Sequence, residues 1–176
     1  MAASLSRRQA MAGFLSRRRM IVGGGLAAAA IPLATSSRAL AAPSPGIVSL
    51  TTPVRVFDSR DPAGVLSGNK LSSGQSVSIT VSGAYLGDDL ALAVFANITV
   101  TATEGRGYLV IRPEDLSGLQ PWPSTSNVNW SENGQTLANL SFSAVGGEHA
   151  IEVRCDGGGR THVICDVQGY VPFVAT

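Results

Sequence analysis

From residue 46 onward, apolar residues recur at every second position, and no stretch keeps the i, i+3, i+4, i+7 spacing of an amphipathic helix over three turns. Val54-Arg55-Val56-Phe57 reads as a short strand, ended by Asp58-Ser59-Arg60-Asp61-Pro62. Ser76 to Val81 alternates strictly and puts Val77, Ile79 and Val81 on one face. Leu90 to Thr101 is longer. Leu92, Val94, Ala96, Ile98 and Val100 share one face there, while Phe95 lies on the other with Asn97, Thr99 and Thr101. An aromatic ring on the polar face predicts a strand that bends or is covered on both sides. Gly105-Arg106-Gly107 turns the chain into the strand Tyr108–Arg112, which Pro113 stops because proline cannot donate to a ladder. Glu114 to Ser126, with Pro121 and Pro123, is the longest irregular stretch. A short strand over Asn127–Trp130, a turn at Ser131-Glu132-Asn133-Gly134 and an alternating strand over Gln135–Phe142 follow. His149–Cys155 and Thr161–Val171 read as a final antiparallel pair around Asp156-Gly157-Gly158-Gly159-Arg160. Asn-Gly and Asp-Gly mark turns because glycine accepts positive φ without a Cβ clash.

Short strands with a turn signal every eight to twelve residues predict an all-β fold. The expectation is a single antiparallel β-sandwich over residues 54–176, jelly-roll-like, with about eight strands and no substantial helix after the leader; an irregular barrel is the alternative. Residues 43–53 read as a linker leading into the first strand.

The first 42 residues read as an export signal. Ser16-Arg17-Arg18-Arg19 precedes a weakly apolar, Gly/Ala-rich stretch from Met20 to about Ala34, and Ala39-Leu40-Ala41 fits a small-x-small cleavage site. Paired arginines (Arg17, Arg18) before a mild apolar stretch resemble a bacterial twin-arginine signal, with Val22 where a lysine is common. That resemblance implies folding before export, in a reducing compartment and without help from a disulfide. Gly23-Gly24-Gly25 and Pro32 make the same stretch a poor permanent membrane span. The expected location is therefore secreted, extracellular or cell-wall associated, with no membrane contact after cleavage.

Charge changes this picture only once the chain is divided. The formal net charge is +1, yet residues 1–42 hold six arginines and no acid. Residues 43–176 hold seven basic residues, with Lys70 as the one lysine, against all 12 acidic ones, a balance of −5. A mature domain of that sign has no general attraction for nucleic acid or anionic lipid, so no nucleic-acid partner is expected. Charged residues make up 14% of the chain and hydrophobic ones 44%, which argues against disorder. If the last pair is a hairpin with Cys155 opposite Thr161, the two cysteines stand four residues apart along the strand, about 13 Å. A disulfide needs Cα atoms within about 7 Å, so two free thiols are expected.

Six segments stand in order along the chain: Arg55-Val56-Phe57-Asp58-Ser59-Arg60, Asn97-Ile98-Thr99-Val100, Gly107-Tyr108-Leu109 running to Pro113, Ser126-Asn127-Val128-Asn129, Gly134-Gln135-Thr136-Leu137-Ala138-Asn139, and Thr161-His162 running through Asp166-Val167-Gln168-Gly169-Tyr170. Together they resemble a domain that recurs in secreted proteins of actinobacteria, alone or appended to hydrolases. Ser59 in place of threonine and Cys165 in place of an aliphatic residue depart from the pattern. The resemblance implies a β-rich extracellular or envelope-associated module and no particular activity.

Chemistry-bearing residues are few. Asp58, Arg60 and Asp166 form either a polar site or, the reading preferred here, a structural arginine–carboxylate pair tying the first strand to the last. His149 and His162 are the only histidines, and with Cys165 and Asp166 they form no ligand-spaced motif, so neither a metal nor a cofactor is expected. No Gly-x-Ser-x-Gly elbow exists, Asp88-Asp89 and Glu114-Asp115 are loop neighbours, and Gly157-Gly158-Gly159 opens no helix. Trp122, between Pro121 and Pro123, is the candidate stacking surface, with Trp130 second and Tyr108, Arg106 and Arg112 as further contacts. The alternative is that Trp130 caps the core and Trp122 packs back on its own loop. The expected function is that of an exported, non-enzymatic binding module for a cell-wall glycan or envelope protein. A small secreted hydrolase using Asp58, Asp166 or His162 and a self-assembling surface protein are the alternatives.

Overall fold

The computed structural model describes residues 46–81 and 90–173, all in one unit spanning Ala41–Thr176. The leader features, among them Arg17, Arg18, Ala39 and Ala41, lie outside the described residues, as does Asp88-Asp89.

Among the described residues, nine strands form from the alternating segments: β1 Val48–Asp58, β2 Leu71–Ser72, β3 Ser76–Thr80, β4 Ala91–Glu104, β5 Gly107–Pro113, β6 Val128–Trp130, β7 Leu137–Ala144, β8 Ala150–Asp156 and β9 Arg160–Pro172. Sheet A has the order β1-β9-β4-β7, with the two-residue β2 added to β9; sheet B has the order β3-β8-β5-β6. Every pairing is antiparallel. Leaving β2 aside, the first strand pairs with the last, the second with the second last, and so inward to β5 with β6. A long hairpin rolled up in this way is a jelly roll. The expected all-β, jelly-roll-like sandwich is therefore the fold, with eight principal strands.

Alternation dictates which side chains meet between the sheets. Val94, Ala96, Ile98 and Val100 of β4 and Val163, Cys165 and Val167 of β9 face Val77 and Ile79 of β3, Leu109 and Ile111 of β5, and Ile151, Val153 and Cys155 of β8. Removing each such Val, Leu or Ile side chain from water contributes about 1.5–3 kcal/mol.

The structure departs from the sequence reading in three places. The first strand begins at Val48, six residues before Val54. Leu92 is 45% exposed and not on the core face, because β4 carries an extra residue there: Ala91 pairs with Pro172 and Ala93 with Val171, so the pattern shifts by one. Phe95 does lie on the outer face as expected, and packs beside Phe142, its cross-strand partner in β7, ring centres 4.7 Å apart. Most consequentially, β8 and β9 are not a hairpin. β8 belongs to sheet B and β9 to sheet A, and Gly157-Gly158-Gly159 carries the chain across the sandwich. Gly157 and Gly158 have φ of 89° and 92°, and a Cβ on Gly159 would meet the Arg106 carbonyl at 2.6 Å. The cysteines are therefore separated by belonging to opposite sheets, not by register along a hairpin. Both are free and buried.

Candidate functional site

Two faces point away from the core. On the outer face of sheet A, Arg55 of β1 stands opposite Asp166 of β9 and grips it twice, Nε to Oδ1 at 2.8 Å and Nη2 to Oδ2 at 3.1 Å. Asp58, at the end of β1, accepts from Arg60 Nε (2.9 Å), Nη2 (2.6 Å) and backbone N (3.0 Å). The Arg60 hydrogen bonds, ahead of the opposing cost of burial, hold the Asp58 carboxyl down at about 2. The structural tie between first and last strands thus exists, but Arg55 makes it and not Arg60, which reaches back only to Asp58.

Next to this ladder, Ser59 and His162 meet, Oγ to Nδ1 at 3.1 Å. Ser59 Oγ also accepts the Val163 N–H at 2.9 Å, so its own hydrogen is available to Nδ1. Burial, followed by the charges of Lys70 and Arg60, lowers the His162 pKa and keeps the ring neutral. This is a poor hydrolytic constellation. Ser59 is 1% exposed, and the carboxylate beside it is committed to Arg60 and not to the histidine.

On the outer face of sheet B, Tyr108, Val110 and Arg112 of β5 lie beside Asp156, Arg154 and Glu152 of β8. The segment joining β5 to β6 is laid over this face. Arg112 is nearly buried: Nε donates to Glu152 Oε2 at 2.6 Å and Nη1 to the Gln120 carbonyl at 2.6 Å. Its guanidinium carbon lies 4.0 Å from the centre of the Trp122 ring, and that of Arg154 lies 5.6 Å away. Both guanidinium groups rise from the same face, so the half-buried indole lies across the sheet instead of standing free in solvent. Asp115 fastens the start of this segment by accepting from Ser117 N and Gln120 N.

Of the five residues singled out from sequence for binding, three share this face: Tyr108, Arg112 and Trp122. Arg106 sits in the exposed turn between β4 and β5. Trp130 is not a surface ring. It is 5% exposed in the core, packed so closely on Gly107 that a Cβ there would stand 2.3 Å from Cζ2. Arg112 likewise offers little to a partner, because it is nearly buried, its Nε and Nη1 donate within the fold, and its role is to seat the indole. Sequence reading missed Arg154 and Glu152, which carry an outward-facing alternation on β8 but no motif. Among the described residues, no group of three His, Cys, Asp or Glu side chains is placed to hold a metal ion, and no helix is long and apolar enough to cross a membrane. Comparison with family models, curated proteins and solved structures gives no match for this chain.

Proposed function

We propose that the chain is an exported, non-enzymatic jelly-roll module that acts in or near the cell envelope and binds a glycan through the outer face of sheet B. The observation that carries this reading is the Trp122 ring held over Arg112, with Tyr108 exposed on the same face and Ser76, Ser78 and Thr80 extending it as a row of hydroxyls along β3. An indole fixed by Pro121, Pro123 and two arginines loses little conformational freedom when a sugar ring stacks on it. The leader and the resemblance to secreted actinobacterial domains support the envelope setting. The test is sedimentation of the purified protein with isolated cell wall. Wild type is expected to co-sediment, and Trp122→Ala to remain in the supernatant with its fold intact by circular dichroism. Equal sedimentation of both proteins, or of neither, contradicts the proposal.

A second reading, a self-assembling surface protein, is favoured by one observation. Leu140 and Phe142 are 54% and 61% exposed on β7, an edge strand of sheet A. An apolar edge strand is a template for pairing between chains. Concentration-dependent sedimentation velocity that reverts to monomer in Phe142→Ser supports it; a monomer at all concentrations removes it.

A further inference from the structure

The end of the sandwich where β1 gives way to β2 carries a second feature. The segment between them, together with the ends of β4 and β9, encloses an open groove of about 700 Å³, within the size range of small-ligand sites. Its charged lining consists of Lys70, Arg160 and Glu104, beside the neutral His162 and the amide of Gln75.

The groove is built by local structure and not by chance contact. Residues 61–69 are laced by their own backbone: Gly64 N and Gly68 N both donate to the Asp61 carbonyl, Ser67 N to Gly64 and Asn69 N to Leu66. Across from this loop, β4 bulges between Thr101, which pairs with His162, and Glu104, which pairs with Arg160. Ala102 adopts φ of 50° in that bulge, a conformation that a residue with a Cβ enters only at a cost of about 1–2 kcal/mol. The bulge re-aims Glu104, whose two carboxylate oxygens accept from Lys70 Nζ and Arg160 Nε, each at 2.5 Å.

Charge in this cluster does not cancel. Two cations share one carboxylate, leaving one positive charge in a domain whose sequence balance is −5. An ammonium has three donors and a guanidinium five, and Glu104 takes one from each; among the described residues the other two N–H groups of Lys70 and four of Arg160 have no hydrogen-bond partner. Their spacing already suits a carboxylate, since one bridges them. Among the described residues, Glu104 is the only acid lining the groove.

We propose that this groove binds an anionic sugar unit whose carboxylate or phosphate is held by Lys70 and Arg160, with Gln75 and the Ser67 and Ser72 hydroxyls available to its hydroxyl groups. The site is separate from the Trp122 face and stands whether or not that face binds. Its ligand chemistry differs as well: charge-assisted hydrogen bonds to an anion, against stacking on an uncharged ring. Glu104 acts as an internal competitor that holds the two cations in position until a ligand anion shares them.

The test is a titration of the ¹⁵N-labelled full-length protein with trigalacturonate, its neutral analogue galactotriose, and galactose 6-phosphate. Amide shifts are expected around Leu66–Lys70, Glu104 and Arg160 with the uronate or the phosphate and not with galactotriose; which anion acts at lower concentration identifies the source. Lys70→Gln and Arg160→Gln should each weaken binding about tenfold, the loss of one charge-assisted contact. Glu104→Gln should tighten it several-fold, an effect that mere disturbance of the loop would not give. No shift with either anion at millimolar concentration, shifts confined to the Trp122 face, unchanged affinity in Lys70→Gln and Arg160→Gln, or weaker binding in Glu104→Gln each overturns the proposal.

Discussion

The guanidinium carbon of Arg112 lies 4.0 Å from the centre of the Trp122 ring, and the same side chain donates to Glu152 at 2.6 Å and to the Gln120 carbonyl at 2.6 Å. One arginine thus joins β5, β8 and the segment that carries the indole. Its side chain is 9% exposed, whereas that of Arg55, which makes a similar two-point contact to Asp166, is 51% exposed. The two pairs should differ sharply in worth. Arg112→Ala leaves the Glu152 carboxylate without its arginine partner and should cost about 3 kcal/mol. Arg55→Ala should cost less than about 1 kcal/mol, because solvent screens an exposed pair. Urea denaturation of the two variants checks this; equal losses would contradict the assignment of Arg112 as the residue that seats the segment.

Trp130 fills the core against Gly107, which leaves no room for a methyl group there. Gly107→Ala would place a Cβ 2.3 Å from Cζ2 of the ring and 2.9 Å from the Asp156 carbonyl. Overpacking of this kind costs about 1–3 kcal/mol, and more where backbone sets the limit. The midpoint of urea unfolding should fall by an amount in the upper part of that range. Gly118→Ala, where no atom lies within 4 Å but φ is 64°, should cost only about 1 kcal/mol of backbone strain.

Acid should unfold the protein in two linked steps. Asp58 titrates near 2 in the fold against an ordinary 3.8, so its contribution is complete above pH 3.8 and is lost as pH falls toward 2. The His162 pKa is lowered from an ordinary 6.5, so the unfolded chain takes up that proton first. Stability is then full above pH 6.5 and declines as pH drops below it. In urea titrations at a series of pH values, His162→Gln should flatten the limb just below 6.5 and Asp58→Asn the limb below 3.8. Unaltered curves in both variants would contradict these assignments.

Burial raises both thiols to about 12, with the neighbouring Asp156 and Asp166 adding to the effect at Cys155 and Cys165 respectively. A thiol so protonated is a poor nucleophile. In native, unreduced protein at pH 8, Ellman's reagent should find neither cysteine, and in denaturant it should find both. Rapid labelling of the native protein would contradict the burial of Cys155 and Cys165 on opposite sheets.

The sequence carried the strands well because alternation is a local signal. Val77, Ile79 and Val81 lie inward as their spacing requires, and the Asn133-Gly134 and Asp156-Gly157 pairs do turn the chain, with φ of 75° at Gly134 and 89° at Gly157. It did not carry the partners of each strand. A turn of a few residues looks the same whether it returns within one sheet or crosses to the other, so the sequence alone makes β8 and β9 a hairpin. For the same reason Arg55 was overlooked: it meets Asp166 only because β1 pairs with β9, 111 positions away. The Lys70–Glu104–Arg160 cluster depends on a bulge at Ala102, which no turn residue announces. Trp122 is legible as a candidate site because prolines flank it, but the arginines beneath it come from two strands whose adjacency is tertiary.

The most direct measurement on the proposed binding face follows the two indole N–H signals in a ¹H–¹⁵N spectrum while soluble cell-wall glycan fragments are added. Trp122 and Trp130 give one signal each and are assigned with Trp122→Phe. The account predicts that the Trp122 signal moves and saturates with fragment concentration while that of Trp130, enclosed in the core, stays fixed. A Trp122 signal that does not move, in protein that demonstrably binds the fragments, would contradict the assignment of this face.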